Sequence, residues 1–496
     1  MGLSSPSLQK YRHNVLVLGA MAIAALAGFA CLGARSLWLD EGYSVTFARL
    51  SWGELWQVIS RYEANGSLYH ALLKCWMALG DSEFALRSLS VLASVASVAV
   101  VAAIAWRLLG ARVAVFSAYL LVLNVLFMLH AREARFYALA LLLASASCYC
   151  FVRSLESPHP RHWAGYVVTS TLAGYAHFLS VLVLLAQAAS LAFLPRAKVP
   201  WKGLLTSAAC IVLATVPLGV LLFANSPGHI FWDRPPHLSD VPLVLHEMAG
   251  RSRPLSLAYL LLGLLGLVRL WTAGMHTDPL SQSTRTWRNA FLLLWLALPI
   301  GAMFAVSQVK PLFVSRYFIV SLPPLVILVA VGLSSLRQLW QRSLALSAIL
   351  LLSAKALSGG YAAPGPEDWR SAARYVISSA QQGDAAFFYS PYTRLPFDYY
   401  RRRLGADPQQ LAYLYPTDLG VQTLVRRLPD PNDALPDSRA HRRLWLILSH
   451  DDSWLRLDTS RSLQARLASI YPVQQRWRFH GITVLLYHDE PAPPGA

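Results

Sequence analysis

Long apolar runs, separated by short polar segments, recur along the first 358 residues of the chain. A helix needs about 20 apolar residues to cross a bilayer core of about 30 Å, so each run is a candidate membrane span. The candidates cover residues 15–34, 85–106, 113–129, 136–152, 163–176, 178–194, 204–223, 255–270, 290–306, 317–333 and 343–357. The pattern predicts a polytopic α-helical membrane protein with about eleven crossings. It leaves open whether residues 163–194 form two spans or one long helix.

Segments with shorter apolar runs follow residue 358 and are typical of a soluble fold. The expected elements are helices at 369–380 and 463–470, buried strands at 385–389 and 444–448, a hairpin at 476–487 that turns at His480-Gly481, and a loop at 428–437. We therefore expect two domains. Residues 1–358 form a transmembrane domain, and residues 359–496 form a C-terminal α/β domain.

Two polar stretches between the spans are long enough to carry structure of their own. The first, a large external loop at residues 35–84, contains an amphipathic stretch at 52–59 and an apolar stretch at 68–79 that is too short to cross the membrane. Both stretches are expected to form helices at the membrane interface. The second, residues 225–254, is rich in Pro, Trp and His and is expected to be an external loop.

The net charge of +17 is unevenly distributed along the chain. The tail after residue 358 has 16 Arg, no Lys and 14 acidic residues, so nearly the whole excess belongs to the membrane domain. There the basic residues fall in alternate loops and ten of the twelve acids fall in the others, as the positive-inside rule requires. This charge predicts a multi-pass inner (plasma) membrane protein with its C-terminal domain on the extracytoplasmic side. It is not the clustered pattern of a nucleic-acid-binding surface.

Two adjacent carboxylates, Asp40 and Glu41, follow the first predicted span at the membrane boundary. Charged side chains are costly next to hydrocarbon, and in a membrane protein such a pair is a functional-site hypothesis. The alternative is a solvated pair that only ends a helix, because charges are common just outside a span.

Under the predicted topology, three further polar clusters lie at the same boundary. They are His130-Ala-Arg132-Glu133-Ala-Arg135-Phe-Tyr137, His177, and Lys310-Pro-Leu-Phe-Val-Ser-Arg316-Tyr317. A carboxylate can act as a general base, whereas Arg and Lys can bind a phosphate and stabilise its charge as it leaves. Simpler explanations exist for each cluster. Single cations can reach lipid headgroups, His177 can pack in a turn, and His130 with Glu133 lacks a third metal ligand.

Taken in order, these motifs resemble those of the GT-C glycosyltransferases. Within that superfamily the chain is most similar to the protein O-mannosyltransferase and aminoarabinose-transferase type, glycosyltransferase family 39. The motifs are Trp38-Leu-Asp40-Glu41-Gly-Tyr43, Glu133-Ala-Arg135-Phe-Tyr137, the Lys310-to-Tyr317 segment before a Pro-containing span, and Asp368-Trp-Arg370 at the start of the tail. The resemblance covers the whole chain in order and spacing. It implies the GT-C fold, with about 11 to 13 transmembrane helices.

The resemblance also implies an activity. The expected enzyme moves a hexosyl or pentosyl group from a polyprenyl-phosphate donor to a hydroxyl of an extracytoplasmic acceptor, with inversion. Asp40 is expected to be the general base, and Glu41 to orient it or the acceptor. The residues expected to hold the lipid phosphate are Arg132, Arg135, Tyr137, Lys310, Arg316 and Tyr317. Those expected near the donor or acceptor are Tyr43, Tyr69, His70, Glu133 and His177.

The chain departs from the family pattern at one place. Where members often have a Pro-Pro-Leu-Tyr-type segment, it has Gly66-Ser67-Leu68-Tyr69-His70, so the tyrosine is kept and the prolines are lost. Because proline restricts the backbone, the loss predicts a less constrained loop and affects the acceptor side most.

The sugar and the acceptor stay open, and the acceptor is a glycan, a lipid or a protein. No cofactor is certain, and a divalent metal stays open because relatives differ. Two other classes remain. One is a lipid-linked glycan ligase or polymerase that acts on a diphosphate-linked donor. The other is a lipid or sugar transporter, which usually carries charges near the middle of the membrane and internal repeats.

Overall fold

The computed structural model describes residues 6–224, 235–272, 279–362, 365–407, 409–420, 431–449 and 454–489. The chain divides into two compact units. The first, here the helical unit, contains residues 1–32, 63–72 and 87–362. The second, here the sheet unit, contains residues 33–62, 73–86 and 363–496. The segment between the first two predicted spans is therefore divided between the two units.

Helices make up nearly all of the chain before the tail. They are α1 Pro6–Phe29, α2 Leu39–Arg49, α3 Trp52–Arg61, α4 Ser67–Trp76, α5 Glu83–Leu109, α6 Ala111–Leu123, α7 Val125–Ala131, α8 Tyr137–Glu156, α9 Pro160–Ala176, α10 Val181–Ser190, α11 Trp201–Ala224, α12 Asp240–Met248, α13 Arg253–Thr272, α14 Pro279–Ser307, α15 Leu322–Ser335 and α16 Leu339–Ala362. Short 3₁₀ helices cover Met77–Leu79, Phe178–Ser180, Leu191–Phe193, Arg196–Lys198 and Ser315–Ser321.

The protein is a polytopic helical membrane protein. Within the described residues, seven helices are long and apolar enough to cross a membrane, and the bent pair α6 and α7 makes up to an eighth. The bend of 63° falls at Asn124, whose side chain accepts a hydrogen bond from the Phe127 N–H (3.0 Å) and so starts a new helix. The run 163–194 is two helices rather than one, because α9 ends at Ala176 and His177 is extended.

Two glycines allow a close crossing of α13 and α15 inside the helical unit. A Cβ atom on Gly332 would lie 1.9 Å from the Leu262 carbonyl oxygen, and one on Gly266 would lie 2.1 Å from the Leu328 carbonyl oxygen. Small residues at such crossings let helix backbones touch, which is how membrane helices gain packing energy. The Ser315–Ser321 segment continues directly into α15, so this crossing also supports the motif that contains Arg316.

A mixed five-stranded sheet forms the centre of the sheet unit. The strands are β1 Asp384–Tyr389, β2 Leu411–Tyr415, β3 Arg443–Leu448, β4 Val473–Phe479 and β5 Ile482–His488, in the order β2-β1-β3-β5-β4. Strand β1 is parallel to β2 and β3, whereas β5 is antiparallel to β3 and β4. The helices of the tail are α17 Trp369–Ser379, α18 Arg394–Arg403, α19 Leu435–Ser438 and α20 Trp454–Ile470, with 3₁₀ helices at Pro391–Thr393 and Pro431–Ala434.

The structure corrects several local expectations. Strand β2 and helix α18 were not predicted, and α20 begins at Trp454, well before residue 463. Residues 431–438 of the predicted loop form short helical turns, and residues 428–430 lie outside the described residues. Helix α12 lies within the predicted loop 225–254, whose residues 225–234 are also outside. Helix α18 escaped prediction because its buried face uses Pro and Tyr beside an Arg run, which masks the apolar periodicity.

Candidate active site

The first candidate cluster, here the carboxylate cluster, lies on α2 of the sheet unit. Asp40 and Glu41 occupy the first turn of α2, where the helix dipole favours negative charge. Glu41 is fully buried (0% exposed), and its carboxylate accepts a hydrogen bond from the Trp38 N–H at 3.4 Å. Asp40 is only half-buried. The two acids therefore differ: Glu41 helps to cap its own helix, and Asp40 is the more accessible to a substrate.

Tyr43 lies one turn further along α2, in an aromatic environment. Its ring centroid is 5.8 Å from that of Phe47 and 5.5 Å from that of Tyr392, which comes from the tail. Burial raises the pKa of Tyr43 well above its ordinary value, and Tyr62, Tyr392 and the charge of Asp40 raise it further. Tyr43 therefore stays a neutral phenol beside Asp40. The sequence did not predict Tyr392 as a residue of this cluster, because nothing in its local sequence connects it to α2.

The second candidate cluster, here the arginine cluster, lies in the helical unit around Glu133. Burial would raise the pKa of Glu133, but His130, Arg316 and Arg135 outweigh that effect and lower it. His130 Nδ1 is 2.9 Å from Glu133 Oε2. Arg135 and Arg316 come from motifs 181 positions apart in the chain, yet both act on one carboxylate. The structure thus places two predicted phosphate ligands close to the same acid.

Aromatic rings surround the two arginines. The ring of His177 lies 5.0 Å from Phe136, 5.2 Å from Tyr317 and 6.0 Å from Tyr137, measured between centroids. The Arg135 guanidinium lies 4.6 Å from the centre of the Phe136 ring, and that of Arg316 lies 5.8 Å from the Tyr317 ring. Predicted residues Tyr137, His177 and Tyr317 therefore belong to the arginine cluster, and His177 also caps the turn after α9 by accepting from the Leu179 N–H.

The α4 residues lie directly behind Arg135. The Tyr69 hydroxyl is 3.1 Å from Ser90 Oγ, which donates to the Arg135 carbonyl oxygen at 3.3 Å. His70 is buried, and burial together with the charge of Arg135 lowers its pKa to about 3. Tyr69 therefore supports the Arg135 backbone, and His70 is a neutral neighbour of the arginine side chain.

Gly66 explains the departure from the family pattern. Its φ is +75°, a conformation that proline cannot adopt because its ring fixes φ near −65°. A Cβ atom at Gly66 would also lie 2.5 Å from the Phe136 ring. The expectation of a less constrained backbone is therefore wrong at this position. The loop is packed against the ring that follows Arg135, and glycine is what permits the contact.

Two predicted phosphate ligands have other surroundings. The Arg132 guanidinium donates to the carbonyl oxygens of Ala27 (3.4 Å) and Cys31 (3.3 Å), at the end of α1. Lys310 lies in the turn after α14, where its backbone N–H donates to the Val306 carbonyl oxygen. A role for either residue at a phosphate stays a prediction. No group of three or more His, Cys, Asp or Glu residues that could hold a metal ion occurs within the described ranges.

Residues 66–221 match the sequence profile of the family described as dolichyl-phosphate-mannose-protein mannosyltransferase. None of the curated protein sequences is significantly similar to the chain. Among solved structures, ArnT from Cupriavidus metallidurans bound to undecaprenyl phosphate aligns with a TM-score of 0.62 at 16% identity, covering 95% of this chain and 97% of that one. Its apo state aligns with a TM-score of 0.63 at 16% identity, covering 95% and 98%.

The apo oligosaccharyltransferase from Archaeoglobus fulgidus is more distant. It aligns with a TM-score of 0.50 at 12% identity, covering 89% of this chain and 70% of that one. At these identities the structural likeness establishes the fold, and the profile match applies to residues 66–221. The chain therefore has the fold of ArnT, and its residues 66–221 are similar to the dolichyl-phosphate-mannose-protein mannosyltransferase family.

Proposed function

We propose that the protein transfers a sugar from a polyprenyl-phosphate donor to a hydroxyl of an acceptor outside the cytoplasm. The observation that carries the proposal is the convergence of Arg135 and Arg316 on one half-buried carboxylate, Glu133, among aromatic rings. Two guanidinium groups match the charge and geometry of a phosphate monoanion or dianion. The likeness to ArnT, whose structure contains undecaprenyl phosphate, supports a donor with a lipid-linked phosphate.

In the proposed reaction, the oxygen of the acceptor hydroxyl attacks the anomeric carbon of the donor from the face opposite the phosphate. The bond between that carbon and the phosphate oxygen breaks, so the configuration inverts. The acceptor proton passes to the carboxylate of Asp40, acting as general base. Arg135 and Arg316 stabilise the negative charge that develops on the departing lipid phosphate. Tyr137 and Tyr317 contact the phosphate or the first part of the lipid.

We also propose a topology of about 11 to 13 crossings for this chain. Seven helices and one bent pair among the described residues are candidate spans by length and composition. Three further helical segments also coincide with predicted spans and support the higher count: α9, residues 178–193 and α16. The basic loops support an inner-membrane location with Asp40 and the C-terminal α/β domain on the extracytoplasmic side. Membrane lipid and an acceptor glycan, lipid or protein are the proposed partners.

An Asp40→Asn variant tests the proposal, because it removes the base and keeps the shape of the side chain. With a polyprenyl-phosphate sugar as donor, kcat should fall about 10²- to 10⁴-fold, the usual contribution of a general base. The matched control is Asp433→Asn, which changes an exposed acid of the sheet unit. Turnover close to that of the control would remove Asp40 from the role of base.

A donor comparison tests the substrate class separately. The unsubstituted protein is given the same sugar on a polyprenyl monophosphate and on a polyprenyl diphosphate. Transfer should be faster from the monophosphate. Preference for the diphosphate would indicate a lipid-linked glycan ligase or polymerase, and transport in proteoliposomes without transfer would indicate a transporter.

A further inference from the structure

Helix α2 begins at a residue that cannot cap it. The N-cap position is Trp38, whose side chain has no oxygen to accept a hydrogen bond from the first turn. Ser, Thr, Asp and Asn usually occupy this position, because the first backbone N–H groups of a helix have no partner within the helix. Glu41 satisfies the Trp38 N–H. The N–H of Leu39, the residue before Asp40, therefore needs an acceptor from elsewhere.

That acceptor is Glu367, from the segment that opens the tail. Its Oε2 accepts the Leu39 N–H at 2.9 Å and the indole N–H of Trp369 at 2.5 Å, and the Ser449 hydroxyl lies 3.2 Å from its Oε1. Glu367 is 2% exposed. A buried carboxyl group with several donors is held in one orientation, and losing it would leave those donors unsatisfied.

The residues before α2 are tied to the same part of the tail. The Arg370 guanidinium donates to the carbonyl oxygens of Gly33 (2.8 Å) and Ala34 (3.0 Å) and pairs with Glu83 at 2.8 Å. The Tyr400 hydroxyl accepts the Leu37 N–H at 2.8 Å and lies 3.1 Å from Glu83 Oε1. Backbone groups on both sides of Trp38 are thus fixed by tail side chains.

The body of α2 also packs against the tail. A Cβ atom on Gly42 would lie 3.0 Å from Pro396 Cδ and 3.1 Å from its nitrogen, so glycine lets α2 approach α18 this closely without a shift. Phe47 further along α2 shares an apolar cluster with Leu395 and Leu419 of the tail. Helix α2 is therefore held at its N-terminus, along one face and through the chain that leads into it.

We propose that Glu367 is a positioning residue, which replaces the missing N-cap of α2 and thereby fixes Asp40 for proton transfer. This inference rests on the proposed role of Asp40. Because a displacement of 1 Å in a reacting group can cost about 10²-fold in rate, a loose first turn lowers kcat without changing donor binding. The proposed role requires the acceptor oxygen rather than the charge, so glutamine can replace glutamate at this position.

The test compares Glu367→Ala with Asp384→Ala as the matched control. Asp384 is also a buried acid of the sheet unit, and it also accepts an indole N–H (Trp445, 2.8 Å) and a backbone N–H (Gln381, 3.0 Å), but both partners belong to the tail. Glu367→Ala should lower kcat about tenfold or more, with donor KM changed less than about twofold. Asp384→Ala should leave kcat near normal below its melting temperature, and Glu367→Gln should restore most of the loss.

A second pair of variants keeps the test decisive if the alanine variants do not fold. Leu39→Pro removes the N–H that donates to Glu367 and truncates the side chain, and proline is well tolerated at the first position of a helix after an extended residue. Leu39→Ala keeps that N–H and truncates the same side chain. Leu39→Pro should lower kcat relative to Leu39→Ala.

Hydrogen–deuterium exchange separates this inference from the proposed function. Amides of α2 should exchange faster in Glu367→Ala than in Asp384→Ala, whatever Asp40 does. Equal loss of kcat in both variants, or unchanged α2 exchange in Glu367→Ala, overturns the positioning role. Faster exchange with unchanged kcat also overturns it. Failure of the proposed function appears separately, as an active Asp40→Asn.

Discussion

The carboxylate cluster and the arginine cluster are held in place by different means. Helix α2 takes its position from side chains of the tail, through Glu367, Arg370 and Tyr400. Arg135 takes its position within the helical unit, from the loop between α7 and α8, from the Phe136 ring beside its guanidinium and from Ser90, which donates to its carbonyl oxygen. The carboxylate cluster depends on long-range hydrogen bonds within the sheet unit, and the arginine cluster depends on helix packing. A change in either unit should therefore leave the local structure of the other cluster intact.

Removing an arginine should have the largest effect and should act on the arginine cluster alone. Arg135→Gln or Arg316→Gln should lower kcat about 10²- to 10³-fold, the usual cost of losing one group that stabilises developing charge. Steady-state transfer from the polyprenyl-phosphate sugar measures this. Arg251→Gln is the control, because its side chain is 66% exposed. A loss no greater than that of the control would separate these arginines from the phosphate.

A larger side chain at the close contact between α13 and α15 should disturb the helix packing that supports the Arg316 segment of the arginine cluster. In Gly332→Ala the new methyl group meets the Leu262 carbonyl oxygen, so the helices must separate. Overpacking of this kind costs about 1–3 kcal/mol, visible as a lower melting temperature in detergent. Gly219→Ala is the control, since nothing lies within 4 Å of its Cβ position. Faster exchange of α2 amides in Gly332→Ala would contradict the independence of the two clusters.

A methyl group at Gly42 should disturb the carboxylate cluster by a smaller amount. Its Cβ would lie 3.0 Å from Pro396 Cδ, so α2 must shift by a few tenths of an ångström. We expect kcat to fall about tenfold with little change in melting temperature, because positioning matters more here than packing. Gly53→Ala, where nothing lies within 4 Å, is the comparison. Unchanged kcat would mean that the position of α2 is not critical.

The smallest effect should come from His70 and concerns pH. Burial and the charge of Arg135 lower the pKa of His70 from 6.5 to about 3, so between these values the unfolded chain binds a proton that the folded protein does not. Stability contributed by neutral His70 is therefore lost as the pH falls through this window, by about 1 kcal/mol or less at pH 6. His70→Gln should reduce the fall in melting temperature between pH 8 and pH 6. The exposed His237→Gln should not, and equal slopes would refute the assignment.

The arginine cluster was largely predictable, because Glu133, Arg135 and Tyr137 are close in sequence and the Arg316 motif precedes a clear span. The eleven apolar runs also coincide with helices, since long runs of this kind have few other structures. The break at Asn124 and the identity of α18 were not found, because a capping Asn and a Tyr-rich buried face are weak signals. The partners of α2 could not be found at all. They depend on which tail residue meets Leu39, and no local pattern encodes that pairing.

The bond between Leu39 and Glu367 joins residues 328 positions apart. During synthesis the helix that carries Asp40 leaves the ribosome long before its cap does. A chain interrupted between residues 335 and 367 keeps the complete arginine cluster and the Asp40 carboxylate but lacks the Glu367 acceptor for the first turn of α2. Under the roles proposed for Asp40 and Glu367, catalysis requires the completed chain, and such a truncated chain in the membrane would bind the lipid donor without consuming it.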